Sequence, residues 1–245
     1  MRAVGLSSPT ANTKGNDCRP FVFLTGASGK IGIKILKILL ELDYGVIAQC
    51  SKNEKIITDF LEKNPQYKDF VEILNADFKE DSLKIVVSMK KNNLVCLINS
   101  AAVFEKGNLT DFHNLVETIQ INDIIPAELT TRFAEKVNKG SVINISDGNI
   151  YNFNENYQNY RISKLLLEEI TKQSAILYAP KIRVNAIALG MLETDENPSN
   201  IAAKQKEILK EEISDKNLAQ TIEFLITCEN ITGQIIYLDN GVHLV

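Results

Sequence analysis

The sequence predicts one α/β domain: a Rossmann-like, doubly wound sheet of about seven parallel strands with helices on both faces. Three observations predict it. Short, continuous apolar runs alternate with helix-length amphipathic segments from Phe21 to the C-terminus, which is the spacing of βαβ units whose strands are buried on both faces. The first run leads straight into a glycine-bearing turn and a helix, FVFLTGASGKIG, the context of a dinucleotide-binding turn. Polar residues cluster just beyond the apolar runs, where ligands bind in such sheets.

In order, Phe21 to Leu24 is the first strand and Ile31 to Leu42 the first helix, with Lys34, Lys37 and Glu41 on one narrow polar face. GVIAQC, from Gly45, is the second strand. Asn53 to Lys63 is helical. FVEIL, from Phe70, is the third strand, and Ser82 to Lys91 is helical. LVCLINSAA, from Leu94, is the fourth strand. A long helix spans roughly His113 to Lys139 and is interrupted at Pro126. Proline has no N–H, so the carbonyl of Asn122 loses its helical partner and a kink is expected. SVINIS, from Ser141, is the fifth strand. A helix carrying Tyr160 runs to about Tyr178, Ile182 to Leu189 is the sixth strand, two short helices lie between Ala202 and Cys228, and GQIIYL is the seventh strand.

The chain has 245 residues, 44% apolar and 24% charged, with a net charge of −4. That suits one large domain with a substantial core. The domain is expected over residues 20–245, preceded by a flexible arm over 1–19 that has no apolar signal core. No basic stripe appears, so nucleic acid and anionic membrane are poor partners. No apolar run is long enough to span a bilayer. The four cysteines (Cys18, Cys50, Cys96, Cys228) show no C-x-x-C spacing and only two histidines accompany them. A metal site is therefore not expected, and a reducing, cytoplasmic setting is.

The most informative residues are Asp147, Tyr160 and Lys164. Tyr160 and Lys164 are four apart, on one face of a helix. An ammonium beside a phenol favours the phenolate, so Tyr160 is a candidate general acid whose pKa Lys164 is expected to lower. Asp147 lies thirteen residues upstream at a strand end. In the glycine turn, Gly26, Gly29 and Gly32 let the backbone approach a ligand, and the first-turn amides of the helix face phosphate oxygens.

With these motifs the chain resembles the short-chain dehydrogenase/reductase family from Phe21 to Val245. Thr25, Gly26 and Gly32 match its cofactor turn, Asp77 its adenine-contacting aspartate, Asn122 its helix asparagine, and Tyr160 with Lys164 its catalytic pair. Asn99-Ser100-Ala101-Ala102 is similar to its Asn-Asn-Ala-Gly strand end, departing at Ser100 and Ala102. Gly190 and Thr194 match its Pro-Gly-x-x-x-Thr segment, with Leu189 in place of proline. Two departures resemble the pteridine and dihydromonapterin reductases. Asp147 stands where most members carry serine, and Lys30 where most carry glycine. Phe104, three positions after Ala101, matches that subgroup's aromatic residue.

The resemblance implies a catalytic set of Asn122, Asp147, Tyr160 and Lys164. It implies that Gly26, Ser28, Lys30, Ile31, Asp77, Phe78, Asn99, Ala101, Tyr160, Lys164, Gly190 and Thr194 bind the cofactor, with Lys30, Phe104, Asp147 and Tyr160 facing the substrate. A ring such as Phe104 can stack on a flat pterin, and Asp147 can accept its amino and ring N–H groups. A water on the Asn122 carbonyl would connect Lys164 to solvent.

Cofactor choice is read from the second strand. NAD enzymes place an acid at its end for the ribose 2′-hydroxyl, whereas this strand ends in Cys50-Ser51-Lys52. A hydroxyl and an ammonium suit a 2′-phosphate, so NADPH is expected. The expected function is reduction of a dihydropterin or dihydrofolate. The alternatives are reduction of another small carbonyl substrate, or a catalytically idle dinucleotide-binding protein. Apolar residues on several faces of the Tyr160 helix (Leu165, Leu166, Leu167, Ile170, Ile176) lead to a homo-oligomer, a tetramer as the resemblance implies.

Overall fold

The computed structural model describes residues 19–81, 85, 88–89, 93–192, 207–211 and 213–245. Seven parallel strands form one sheet: β1 (Phe21–Leu24), β2 (Gly45–Cys50), β3 (Val71–Asn75), β4 (Leu94–Asn99), β5 (Gly140–Asp147), β6 (Ile182–Leu189) and β7 (Ile235–Leu238). Their order across the sheet is β3-β2-β1-β4-β5-β6-β7. The chain winds outward from β1 to β3, then returns to pair β4 with β1. The crevice at this reversal, between β1 and β4, is where such sheets bind ligands.

The helices are α1 (Lys30–Glu41), α2 (Glu54–Lys63), α3 (Phe112–Ile119), α4 (Ile125–Lys136), α5 (Gln158–Tyr178) and α6 (Asp215–Thr227). Side chains of β1 alternate between two cores, as strand geometry requires. Val22 and Leu24 pack with Ile35, Leu36 and Leu39 of α1, Ile57 of α2 and Leu218, Ile222 and Leu225 of α6. Phe21 and Phe23 pack on the other face with Leu129 and Phe133 of α4 and Ala175 of α5. Each fully buried side chain of this size contributes roughly 1.5–3 kcal/mol, so the two cores fix the sheet from both sides.

Several expected elements take a different form. The long helix over His113 to Lys139 is α3, a π-turn at Gln120–Ile124 and α4. The Ile125 N–H bonds the Gln120 carbonyl, five residues back. Pro126, second in α4, has no N–H to donate, and widening the preceding turn accommodates that loss. Between Ala202 and Cys228 the described residues contain one helix, α6. It starts at a capping box, Ser214 with Asn217, and 207–211 are not helical. Phe70 ends a 3₁₀ turn (Pro65–Phe70) rather than opening β3. Ile85 and Ser88 are helical within the expected 82–91 segment.

Arg19 pairs with Asp43 at 2.7 Å and lies 3.5 Å over the Phe70 ring. Of the expected arm over 1–19, residues 1–18 lie outside the described residues. Cys50 and Cys96 are buried in β2 and β4. No helix among the described residues is long and apolar enough to cross a membrane.

Candidate active site

The glycine turn is built by close approach. Gly26 has φ +65°, and a Cβ there would lie 2.7 Å from the Ala101 Cα. Both facts demand glycine. A Cβ on Gly32 would lie 2.0 Å from the Gly26 carbonyl oxygen, so the helix can start this close to the turn only without a side chain. Thr25 Oγ1 accepts the Ser100 and Ala101 N–H groups at 2.9 and 3.0 Å, tying the end of β1 to the end of β4.

A clamp that sequence reasoning missed completes the turn. The Gly26 N–H donates to Gln49 Oε1 at 2.9 Å, and Gln49 Nε2 donates to the Ala76 carbonyl at 2.7 Å. Gln49 therefore ties the glycine turn to the segment after β3. Its signal was a lone amide in an otherwise apolar strand, which burial tolerates only when paired. Ser28 Oγ donates to the Lys52 carbonyl at 3.0 Å, so the turn and the end of β2 are joined. Ser51 and Lys52 are exposed there. Lys30 opens α1 and is exposed, while Ile31 packs on the first core. Asp77 forms a turn, accepting the Lys79 N–H at 2.8 Å, and Phe78 packs on the second core.

On the other side of the crevice, β5 and α5 bring Asp147, Tyr160 and Lys164 together. The Tyr160 phenol donates to Asp147 Oδ2 at 3.1 Å, and Asp147 Oδ1 accepts the Asn149 N–H at 2.7 Å. Lys164 is 4% exposed; its ammonium donates to the Ile145 carbonyl at 2.8 Å and lies 5.7 Å from the Tyr160 ring centre. Asn122 spans the space between two elements. It exchanges hydrogen bonds with the Val103 backbone (2.7 and 3.0 Å) and donates to Ser163 Oγ at 3.0 Å.

The electrostatics correct one expectation. The Tyr160 pKa is raised, not lowered. Burial raises it well above 10, and the neighbouring Asp147 carboxylate raises it further. The phenol is held protonated. Burial raises Asp147 as well, opposed by the Asn149 N–H, the Tyr160 hydrogen bond and the Lys164 charge. Lys164 is pushed down to about 8 by burial, with Asp147 and Asp123 pulling it up.

Phe104 lies beside this pair. Its ring is 61% exposed and stacks on Tyr157 (4.7 Å, 5°), with Tyr160 edge-on at 4.7 Å. Tyr157 is a second residue missed in the sequence, where it reads as part of a polar loop. The Gly107 N–H donates to the Asn156 carbonyl at 2.9 Å, which fixes the Phe104 loop against the start of α5. Gly190 packs on Asp239, where a Cβ would meet the Asp239 Cα at 2.6 Å. Thr194 lies outside the described residues. No cluster of metal-ligating side chains is found among the described residues.

Residues 61–243 match the family model described as Enoyl-(Acyl carrier protein) reductase. The 3-oxoacyl-[acyl-carrier-protein] reductase FabG of Rickettsia felis is 29% identical over 242 residues, covering 91% of this chain and 96% of that protein. A dihydromonapterin reductase of Enterobacter is 24% identical over 241 residues, covering 93% and 98%. Among solved structures, FolM Alternative dihydrofolate reductase 1 from Brucella canis, complexed with NADP, superposes with a TM-score of 0.81 at 24% identity, covering 92% of this chain and 95% of that one.

Proposed function

This chain belongs to the short-chain dehydrogenase/reductase family, and we propose that within it the protein is an NADPH-dependent reductase of a dihydropterin or dihydrofolate. The observation that carries this reading is the Asp147–Tyr160 hydrogen bond beside the exposed ring of Phe104. A serine, which the family resemblance places at position 147 in most members, would present a neutral hydroxyl there. A carboxyl can accept the paired N–H groups of a pterin edge when ionised and carry a proton when neutral. The similarity to the dihydromonapterin reductase of Enterobacter and to the NADP-bound FolM structures supports the same reading.

The residues fit a dinucleotide. At Gly29, just before α1, only the Gly26 carbonyl oxygen would approach a Cβ (3.3 Å), and a phosphate there would meet the first-turn amides of the helix. Lys30 at the first position of α1 is opposed by the helix dipole, and an anion at that helix end reverses the penalty. Asn99 Oδ1 and Ser100 Oγ, at the end of β4, are buried without a partner among the described residues. Ser51 and Lys52 would meet the 2′-phosphate, with Ser28, Ile31, Asp77, Phe78, Ala101, Gly190 and Thr194 completing the cofactor side.

Bound NADPH supplies the hydride. Tyr160 holds its proton against ionisation and donates it to the substrate nitrogen, or Asp147 does so when neutral. Asp147 also reads the pterin edge. Lys164 keeps a positive charge behind the phenol and would hold the ribose. Asn122 fixes the Val103 backbone against α5 and completes the proton relay. Phe104, with one face on Tyr157, stacks the substrate.

A second reading, reduction of a 3-oxoacyl or other small carbonyl substrate, draws on the higher identity to the Rickettsia reductases. NADPH oxidation measured against dihydropterins, dihydrofolate and ketones separates the two. Turnover of ketones alone contradicts the pterin reading. We further infer a cytoplasmic homotetramer. Phe112 and Val116 of α3 and Leu166, Ile176 and Leu177 of α5 are exposed, an apolar surface that pairing across a two-fold axis would cover. Leu167 is instead core, and Leu165 and Ile170 are half-buried.

A further inference from the structure

The turn after β7 reaches back to the loop that begins at Asp147. Three residues that each follow a strand end meet there: Gly148 after β5, Gly190 after β6 and Asp239 after β7. Asp239 is 2% exposed. A Cβ on Gly148 would lie 2.5 Å from the Asp239 Cβ, and one on Gly190 would lie 2.6 Å from the Asp239 Cα. Both loops therefore rest on Asp239 with no space between. The backbone continues the sheet through the same points. The Gly148 N–H bonds the Leu189 carbonyl, and the Gly190 N–H bonds the Leu238 carbonyl, both at 2.8 Å.

Asp239 is held in turn. Its Oδ1 accepts the Gly241 N–H at 3.0 Å, and its Oδ2 accepts the His243 N–H at 2.8 Å. His243 Nδ1 lies 2.7 Å from the same Oδ2, and its ring stacks on Tyr237 (3.9 Å, 21°). The Tyr237 hydroxyl is 2.9 Å from that of Tyr151. Tyr151 gives its one proton to Glu168 Oε2 at 2.8 Å, so Tyr237 is the donor between the two phenols. Glu168 is 3% exposed on α5, and Ser146, one residue before Asp147, donates to its other oxygen at 3.3 Å. The contacts close a ring from Gly148 through Asp239, His243, Tyr237 and Tyr151, and back along the loop. Asn149 lies on that loop, and its N–H holds Asp147 Oδ1. The Asn240 carbonyl anchors the turn further, accepting the Ile208 and Leu209 N–H groups at 2.9 and 3.1 Å.

Resting on the reductase reading above, we propose that Tyr237 and His243 are positioning residues: with Asp239 they clasp the 148–151 loop and so fix the direction in which Asp147 presents its carboxyl to the pterin edge. A carboxyl that must meet two N–H groups at once depends on its orientation, because hydrogen bonds weaken steeply off line. Asn149 and Tyr160 hold the carboxyl from two sides. The Tyr160 side stands on α5. The Asn149 side stands on a loop, and the clasp is what keeps that loop in one place.

The test has two arms, both on the whole protein. Tyr237→Phe keeps the ring on His243 and removes the hydroxyl, and His243→Leu cuts the link to Asp239. In the first arm, each variant should raise the KM for a dihydropterin by about 3–30-fold. The turnover number and the NADPH dissociation constant should stay within about twofold, as loss of substrate binding alone requires. Both changes interrupt one series of contacts, so the double variant should lose no more than about twofold beyond the worse single variant. An unchanged KM, a fall in turnover and NADPH affinity in step with it, or losses that multiply in the double variant overturn the proposal. In the second arm, hydrogen–deuterium exchange is followed by mass spectrometry. Amides of 148–151 should exchange faster in each variant, with those of 140–146 in β5 unchanged. Wild-type exchange over 148–151 overturns the proposal. Tyr237→Phe, the milder change, decides both arms by itself if His243→Leu does not fold. If the wild type reduces no dihydropterin or dihydrofolate, the reductase reading fails by itself, and the exchange arm still decides whether the clasp holds the loop.

Discussion

Tyr160 gives its phenolic proton to a hydrogen bond with Asp147, 3.1 Å away across the gap between α5 and β5. The lysine one helical turn further on lies 5.7 Å from the phenol ring centre and donates to the Ile145 carbonyl. The pair therefore keeps the proton in place between turnovers, and burial strengthens the effect on both members.

Tyr160→Phe removes the donor while keeping the ring that meets Phe104 edge-on. Turnover should fall by about 10²–10⁴-fold on any substrate, with the NADPH dissociation constant changed by less than about threefold. Stopped-flow turnover and fluorescence titration of NADPH measure the two quantities. Loss of cofactor affinity in step with turnover would mean that the phenol serves binding rather than chemistry.

NADPH should bind more tightly than NADH, because Ser51 and Lys52 stand exposed at the end of β2 with no acid among them. One charge-assisted contact is worth about 1.5–3 kcal/mol, or tenfold or more in affinity. Lys52→Ala should weaken NADPH by about that factor and leave NADH unchanged. Calorimetric titration with both cofactors measures it, and equal affinities in the wild type contradict the assignment.

Gln49→Leu should destabilise the domain and the cofactor turn together. It leaves the Gly26 N–H and the Ala76 carbonyl without their partner, at about 1–3 kcal/mol for each buried orphan. For a chain of this length the Tm should drop by on the order of 5–10 °C. Added NADPH should recover less of it than in the wild type. A variant with wild-type Tm and cofactor affinity would show the clamp to be dispensable.

The strands were legible because most are continuous apolar runs, and β1 and β2 are buried along their whole length, whereas the edge strands β3 and β7 are only partly buried. The candidate site was legible because Asn99 and Asp147 end β4 and β5 and Gly190 follows β6, at the edge where parallel sheets expose their ligand crevice. What escaped depends on partners far away in sequence. Gln49 reads as an odd residue in a strand until the Gly26 turn is folded against it. Pro126 announced an interruption, but the π register at Gln120 depends on which carbonyl Ile125 finds. The rise in the Tyr160 pKa depends on burial and on Asp147, neither of which is contained in the four-residue spacing to Lys164.

The measurement that tests the account most directly is steady-state turnover of Asp147→Ser on a dihydropterin and on a simple ketone, with NADPH binding measured alongside. The account predicts that dihydropterin turnover falls by about 10²-fold or more. NADPH affinity should stay within about twofold, and ketone turnover should hold or rise. Near-normal dihydropterin turnover in Asp147→Ser, with Tyr160→Phe inactive, would contradict the pterin-reading role of Asp147 and leave a general carbonyl reductase in its place.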